Sequence, residues 1–191
     1  MKKVFLDIVP VLVGILLALL INNWRQTKSE QDYIENSIGF IIQENTENIK
    51  ELKYALKRQA MFMDTLLVYV DDDQYTLKDV LQRAQGVYTP DLKSTTWQFL
   101  VQDSKHTLVP YEMINRLAEI GKYEKLVERY NTKLGDIIFQ QAFFEDPKLK
   151  LVAMSLFSDF SPVQNTLIQE LESFNEFARE NYNITEPKKE K

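Results

Sequence analysis

The 191-residue chain has no cysteine and a single histidine, His106. These two shortages remove disulfides, thiolate metal sites, cysteine nucleophiles and lipoprotein acylation, and leave zinc sites built from several imidazoles without ligands. Five glycines and six prolines are too few turn-formers for an all-β domain. Positive charge is not in surplus either. With 23 Lys and Arg against 28 Asp and Glu, the net charge is −5, which argues against a nucleic-acid surface, because phosphate binding needs clustered cations. Phosphate cradles of the G-x-x-x-x-G-K or G-x-G-x-x-G kind are missing, as is the E-x-x-H pattern of di-iron bundles. No cofactor and no metal are therefore expected. Asp103, Ser104 and His106 are too close in sequence to build a catalytic triad, and nothing around them resembles a nucleophile elbow, so His106 reads as an exposed loop residue.

At 45% apolar residues the chain is too hydrophobic to be disordered, and its length allows one domain with a short appendage. The appendage is at the N-terminus. From Val4 to Ile21 the sequence is apolar apart from Asp7, a run of roughly 27 Å as a helix, nearly the thickness of a bilayer core. Trp24 and Arg25 follow as interfacial anchors, an amphipathic indole and a cation at headgroup level. A cleaved signal peptide would need an A-x-A-like site, which is absent. A buried core helix is the other alternative, and fits a shorter run better. Residues 1–25 are thus expected to be an uncleaved transmembrane anchor. Lys2 and Lys3 before the run balance Arg25 and Lys28 after it, and the free α-amine tips the count. The expected topology has the N-terminus in the cytoplasm and the C-terminal domain in the periplasm of a bacterial inner membrane.

Asp7, Pro10, Gly14, Ala18 and Asn22 recur at three- and four-residue steps and share one helical face. Gly14 and Ala18 form a small-xxx-small pair, which lets helix backbones approach closely and suits pairing with a second copy or with another membrane subunit. Asp7 would meet a polar partner in such a pair; unpaired, it sits shallow, one turn from Lys3.

The string from Gly14 through Ile15, Leu16, Leu17, Ala18, Leu19, Leu20, Ile21, Asn22 and Asn23 to Trp24 resembles the G-I-L-I-A-L-x-I-N-N-W signature that opens an uncharacterised family of single-pass proteins from Bacteroidota. Leu17 replaces the isoleucine usual there. A second likeness runs from Thr95, Thr96 and Trp97 through Leu100, Leu108, Ile114, Asn115, Arg116 and Leu117 to Tyr130, although the glycine that often follows Ser104 in that family is missing. The resemblance implies a membrane anchor followed by a charged helical domain of unknown function, and carries over no catalytic residue.

Downstream, Ile34, Ile38, Ile41, Ile42, Ile49, Leu52, Leu56, Ala60, Met63, Leu67 and Val70 recur mostly at helical spacing, with Asn45 filling one slot, and predict one amphipathic helix over residues 29–70. With no proline between it and the anchor, the helix is expected to continue the span outward as a stalk. Gly39 is its one weak point. Asp71, Asp72 and Asp73 should end it, since acids disfavour a helix C-terminus. An EF-hand counted from Asp71 fails, because Thr76 and Gln82 stand where glycine and glutamate are needed.

Thr76 and Asp79 form a capping box for a short helix through Gln85, which Gly86 could terminate. Ser94 or Thr95 can cap another around Trp97, and Pro110 opens a long helix with possible bends at Gly121 and Gly135. Beyond the break at Pro147, a shorter helix over Lys148–Phe157 is expected. Ser161, Pro162 and Gln164 read as the N-cap, N1 and N3 residues of a separate last helix through about Tyr182. Val68–Val70 and Leu149–Leu151 look strand-like but are isolated.

The expected fold is all-α, with an N-terminal transmembrane helix continuing into a stalk and an antiparallel helical bundle. Its domains are the anchor (1–25), the bundle (26–182) and a disordered charged tail (183–191). Phe139, Phe143, Phe144, Phe157, Phe160, Phe174 and Phe177 have spacings that favour core over pocket lining. The function expected by elimination is non-catalytic: a membrane-anchored scaffold or accessory subunit whose partners are the lipid bilayer and a membrane or envelope protein, or a homo-oligomer through the anchor. The alternative is an extracytoplasmic small-molecule sensor signalling through the stalk. A hydrolase would need two inward-facing acids in a cleft.

Overall fold

The computed structural model describes residues 2–102, 109–143, 146 and 148–184, with side chains from Leu12 onward except at 99, 101, 102 and 140–143. Five helices follow in order: α1 (Lys2–Tyr69), α2 (Leu77–Arg83), α3 (Thr95–Gln102), α4 (Tyr111–Phe143) and α5 (Lys148–Asn181). No strand occurs among the described residues, so the fold is all-α. The strand-like fragments fall at the end of α1 and the start of α5.

Helix α1 runs for 68 residues without a break, through Gly39, and is roughly 100 Å long. Its buried seam is Ile38, Ile41, Asn45, Asn48, Leu52, Ala55, Gln59, Phe62 and Leu66, a strict alternation of three- and four-residue steps. That 3.5-residue repeat is the coiled-coil pattern, in which helices wind slightly to keep their seams facing. The face expected from sequence is corrected here: Ala60 and Leu67 are exposed, and Ala55, Gln59 and Leu66 take the buried positions. Helix α5 repeats the alternation at Lys150, Ala153, Phe157, Phe160, Gln164, Leu167, Leu171, Phe174 and Ala178.

Helix α5 packs against both α1 and α4, antiparallel to each. Phe62 of α1 meets Phe157 of α5 with ring centroids 5.1 Å apart, and Asn45 Nδ2 donates to Asn175 Oδ1 at 3.1 Å, both side chains buried. On the α4 side, Tyr130 stacks on Phe160 at 5.0 Å. Arg116 lies over the Phe177 ring at 4.3 Å and donates to Ser173 Oγ. Polar seam residues make register specific, because sliding one helix would bury an amide against hydrocarbon.

The acidic turn after α1 is held by a residue from the far end of the sequence. Lys150, fully buried, donates from Nζ to the carbonyls of Tyr69 at 2.8 Å and Asp72 at 2.6 Å. A cation at the negative end of the α1 dipole offsets the unfavourable Asp71–Asp73 cluster.

The expected separate helices over 148–157 and from Ser161 onward are overturned: α5 is continuous, with Pro162 inside it. Proline costs a helix the bond to the carbonyl four residues back, here Ser158. Both Ser158 and Pro162 are exposed, so the missing bond falls on the solvent side of the helix, while Phe157, Phe160 and Gln164 keep the buried seam in phase. Ser161 is not an N-cap; its hydroxyl donates back to the Phe157 carbonyl at 3.1 Å.

Between α1 and α4 the chain returns as α2, an extended strap over residues 87–94, and α3. The Thr76 capping box is present, with Asp79 Oδ2 accepting from the Thr76 amide at 2.8 Å. Helix α2 stops at Arg83, earlier than expected, and Gln85 and Gly86 both take positive φ, 58° and 85°. Gly86 N–H closes the helix end by donating to the Leu81 carbonyl at 2.7 Å.

Candidate functional site

The strap is bonded along α1, rung by rung. Gln59 Nε2 donates to the Tyr88 carbonyl, and Glu51 Oε1 accepts from the Tyr88 hydroxyl at 2.6 Å and from the Asp91 amide at 3.3 Å. Asn48 both donates to the Lys93 carbonyl, at 2.6 Å, and accepts from the Lys93 amide, at 2.9 Å. The first amides of α3, those of Thr95 and Thr96, donate to the two oxygens of Glu44 at 2.7 and 3.0 Å. That corrects the expected cap. A carboxylate reaching across from α1 satisfies the helix start, and Ser94 Oγ instead accepts from Gln98 Nε2.

On the other side, the strap and α3 face α4 across a cleft of about 640 Å3 lined by residues of both. Its position follows from the α4 seam. Met113, Leu117, Ile120, Val127 and Leu134 are buried at the same alternating steps, and the two places that the repeat assigns between them are Glu124 and Asn131. Where hydrophobic residues would close the seam, α4 carries a carboxyl and an amide, and both line the cleft. Asn131 Nδ2 donates to the Pro90 carbonyl at 2.9 Å, while its buried Oδ1 has no partner.

Trp97 forms a wall. Its indole Nε1 donates to Glu124 Oε2 at 3.2 Å, and its six-membered ring lies so close over Gly121 that a Cβ there would be 2.8 Å from Cη2. Gly121 therefore serves as a seat for the indole, and α4 runs through it without a break. Burial pushes the Glu124 carboxyl up to about 7, against the opposing effect of the indole bond, and the nearby charge of Glu44 raises it further. Asp91 and Glu128, the other acids of the cleft, are exposed, so Glu124 is its one half-buried acid.

Gly121→Ala is expected to push the indole off its seat and lengthen the Trp97–Glu124 bond. Crowding of about 1–3 kcal/mol is partly offset by about 1 kcal/mol of helix propensity, leaving a small net loss of stability. The sensitive readout is Trp97 fluorescence in a Trp24→Phe background, which should shift to the red. An unchanged spectrum would mean that the ring is not seated there.

The second feature lies at the other end of α1. From Leu12 to Ile21 the large apolar side chains are 47–64% exposed, and Trp24 is 65% exposed; none of the described residues covers them. Gly14 has no atom within 4 Å of where a Cβ would stand. Of the expected pairing face, Gly14, Ala18 and Asn22 lie on this bare stretch, while the side chains of Asp7 and Pro10 are outside the described residues. Lys28 sits over the Trp24 ring at 5.8 Å, one turn beyond Arg25. Among the described residues no helix is long and apolar enough to cross a membrane.

Asp103, Ser104 and His106, Phe144 and the tail from 185 onward lie outside the described residues, as do the side chain of Phe143 and the break at Pro147. Phe157, Phe160 and Phe174 are buried and Phe177 is half-buried against the core, whereas Phe139 is exposed. Sequence reasoning passed over Glu124, Asn131 and Trp97 as site residues. The available signal was the 3.5-residue repeat of α4, which assigns two polar residues to seam positions. No family model matches the chain, and comparisons with curated proteins and with solved structures find no match.

Proposed function

We propose that the protein is a single-pass membrane-anchored helical scaffold or accessory subunit of a membrane or envelope complex, acting without catalysis. The observation that carries this reading is the uncovered stretch 12–24 of α1. A helix that is apolar on every side belongs in a protein core or in lipid, and among the described residues no other part packs on it. Leaving it in water would expose a contiguous apolar surface of the kind that marks an interaction site. Trp24, Arg25 and Lys28 have the chemistry of an interfacial belt, and the likeness to the Bacteroidota signature points the same way. In this reading residues 4–21 span the inner membrane, the N-terminus is cytoplasmic, and the bundle stands in the periplasm. The face of Asp7, Pro10, Gly14, Ala18 and Asn22 then pairs with a second copy or a partner's span.

The full chain is expected to stay in the membrane pellet after alkaline carbonate washing, and a chain lacking residues 2–25 to appear in the soluble fraction with its helical circular dichroism intact. Release of the full chain by carbonate would overturn the anchor. Crosslinking through cysteines scanned over residues 8–21 should follow helical periodicity if the span pairs; a flat profile would remove the pairing face.

The cleft favours a second reading, that of a sensor. Its strap is bonded to α1 through Glu44, Asn48, Glu51 and Gln59, so a ligand that moved the strap would act directly on the helix that enters the membrane.

A further inference from the structure

We propose that the cleft between the strap and α4 binds a small organic cation, a protonated amine whose ammonium meets the Glu124 carboxylate while its carbon body lies against the Trp97 indole. This deepens the sensor reading and rests on it only in treating the cleft as a ligand site.

Size comes first. A volume of about 640 Å3 falls within the range of small-molecule sites. The polar groups then select the sign of charge. Asp91, Glu124 and Glu128 line the cleft against the single cation Lys125, and none of the three acids is in an ion pair among the described residues. Asn131, also in the lining, has a buried Oδ1 acceptor without a donor. The unmet demand is thus for hydrogen-bond donors carrying positive charge. The aromatic wall fits the same ligand, because an indole attracts cations through its ring quadrupole and also offers apolar area. An acidic surface alone would hold inorganic cations loosely in water. The half-buried Glu124 beside Trp97, at a seam position that hydrophobic residues occupy elsewhere on α4, gives a partly desolvated carboxylate where an ion pair is stronger.

Charge also sets the pH response. Glu124 titrates among Glu44 of α1, Asp91 of the strap, Trp97 of α3, and Lys125 and Glu128 on its own helix. Since its carboxyl is held near 7, an ammonium ligand should bind more tightly as pH rises from 6 to 8.

The test uses the full chain in detergent micelles with Trp24→Phe, so that Trp97 is the sole indole. It compares phenethylammonium and butane-1,4-diammonium with 2-phenylethanol and phenylacetate by calorimetry and by Trp97 fluorescence. Both ammonium probes are expected to bind at least tenfold more tightly than the alcohol or the acid, to quench or shift Trp97, and to lose that advantage in Glu124→Gln. Because Gln can still accept from the indole, circular dichroism should show this variant folded; if it does not fold, Glu128→Gln together with Asp91→Asn replaces it and should weaken the ammonium probes alone. Equal or tighter binding of the alcohol or the acid would overturn the cationic ligand and leave a sensor of other chemistry. Failure of all four probes to perturb Trp97 would overturn the ammonium site and withdraw support from the sensor reading, without touching the carbonate result on which the anchor depends.

Discussion

Phe62→Ala is expected to destabilise the bundle by about 3–5 kcal/mol, while Leu67→Ala, five residues on along the same helix, changes stability by about 0.5 kcal/mol or less. Phe62 is 1% exposed and its ring meets Phe157 across the α1–α5 seam. Its loss removes hydrophobic burial and leaves a cavity between two helices whose backbones are held by neighbouring layers. Leu67 is 56% exposed and has little burial to lose. Against a typical total stability of about 5–15 kcal/mol, the first substitution takes a large share. Urea unfolding of the full chain in micelles should show a lower midpoint for Phe62→Ala with an unchanged slope. Comparable losses at the two positions would mean that α1 presents a different face to α5.

The second large effect is on pH. A glutamate carboxyl ordinarily titrates at 4.5, and in the folded protein Glu124 does so at about 7. Between those values the folded chain binds a proton that the unfolded chain does not, so stability falls as pH rises through this window and the full penalty is present above it. The size of the shift corresponds to at most about 3 kcal/mol, or several degrees of melting temperature for a domain of this size. Glu124→Gln removes the titration and keeps an acceptor for Trp97. The variant should therefore match the parent near pH 5 and melt several degrees higher at pH 8. Parallel curves for parent and variant from pH 5 to 8 would show that the carboxyl ionises as it does in water.

The helical class, the end of α1 and the capping box at Thr76 were legible because each rests on local chemistry: acids at a helix C-terminus, a hydroxyl and a carboxyl three residues apart. The buried face of α1 was only partly legible. A 3.6-residue reading follows hydrophobic side chains and drifts to Ala60 and Leu67, whereas the packed seam keeps a 3.5-residue repeat and accepts Asn48 and Gln59 to do so. Polar residues at seam positions hid the pattern, and on α4 they hid the cleft as well. Pro162 misled for a related reason. Proline after serine is a sound local start signal, but the burial of Phe157 and Phe160 on one side and Leu167 on the other is decided by α1 and α4, which a local reading does not see. Lys150 is the extreme case, since the carbonyls that hold it belong to residues about 80 positions earlier.

If residues 4–21 lie in a bilayer as proposed, the unbroken α1 would also fix a height. From Ile21 to the level of Glu47 and Asn48, where Lys93 of the strap is bonded to α1, the helix rises roughly 40 Å without a break. The cleft would then stand at a set distance from the membrane, and anything docking beside it would have to reach to that level. Shortening α1 by one heptad between residues 22 and 33 would lower the cleft by about 10 Å while turning it only about 20°, which makes the length of this segment a ruler for whatever the protein works alongside.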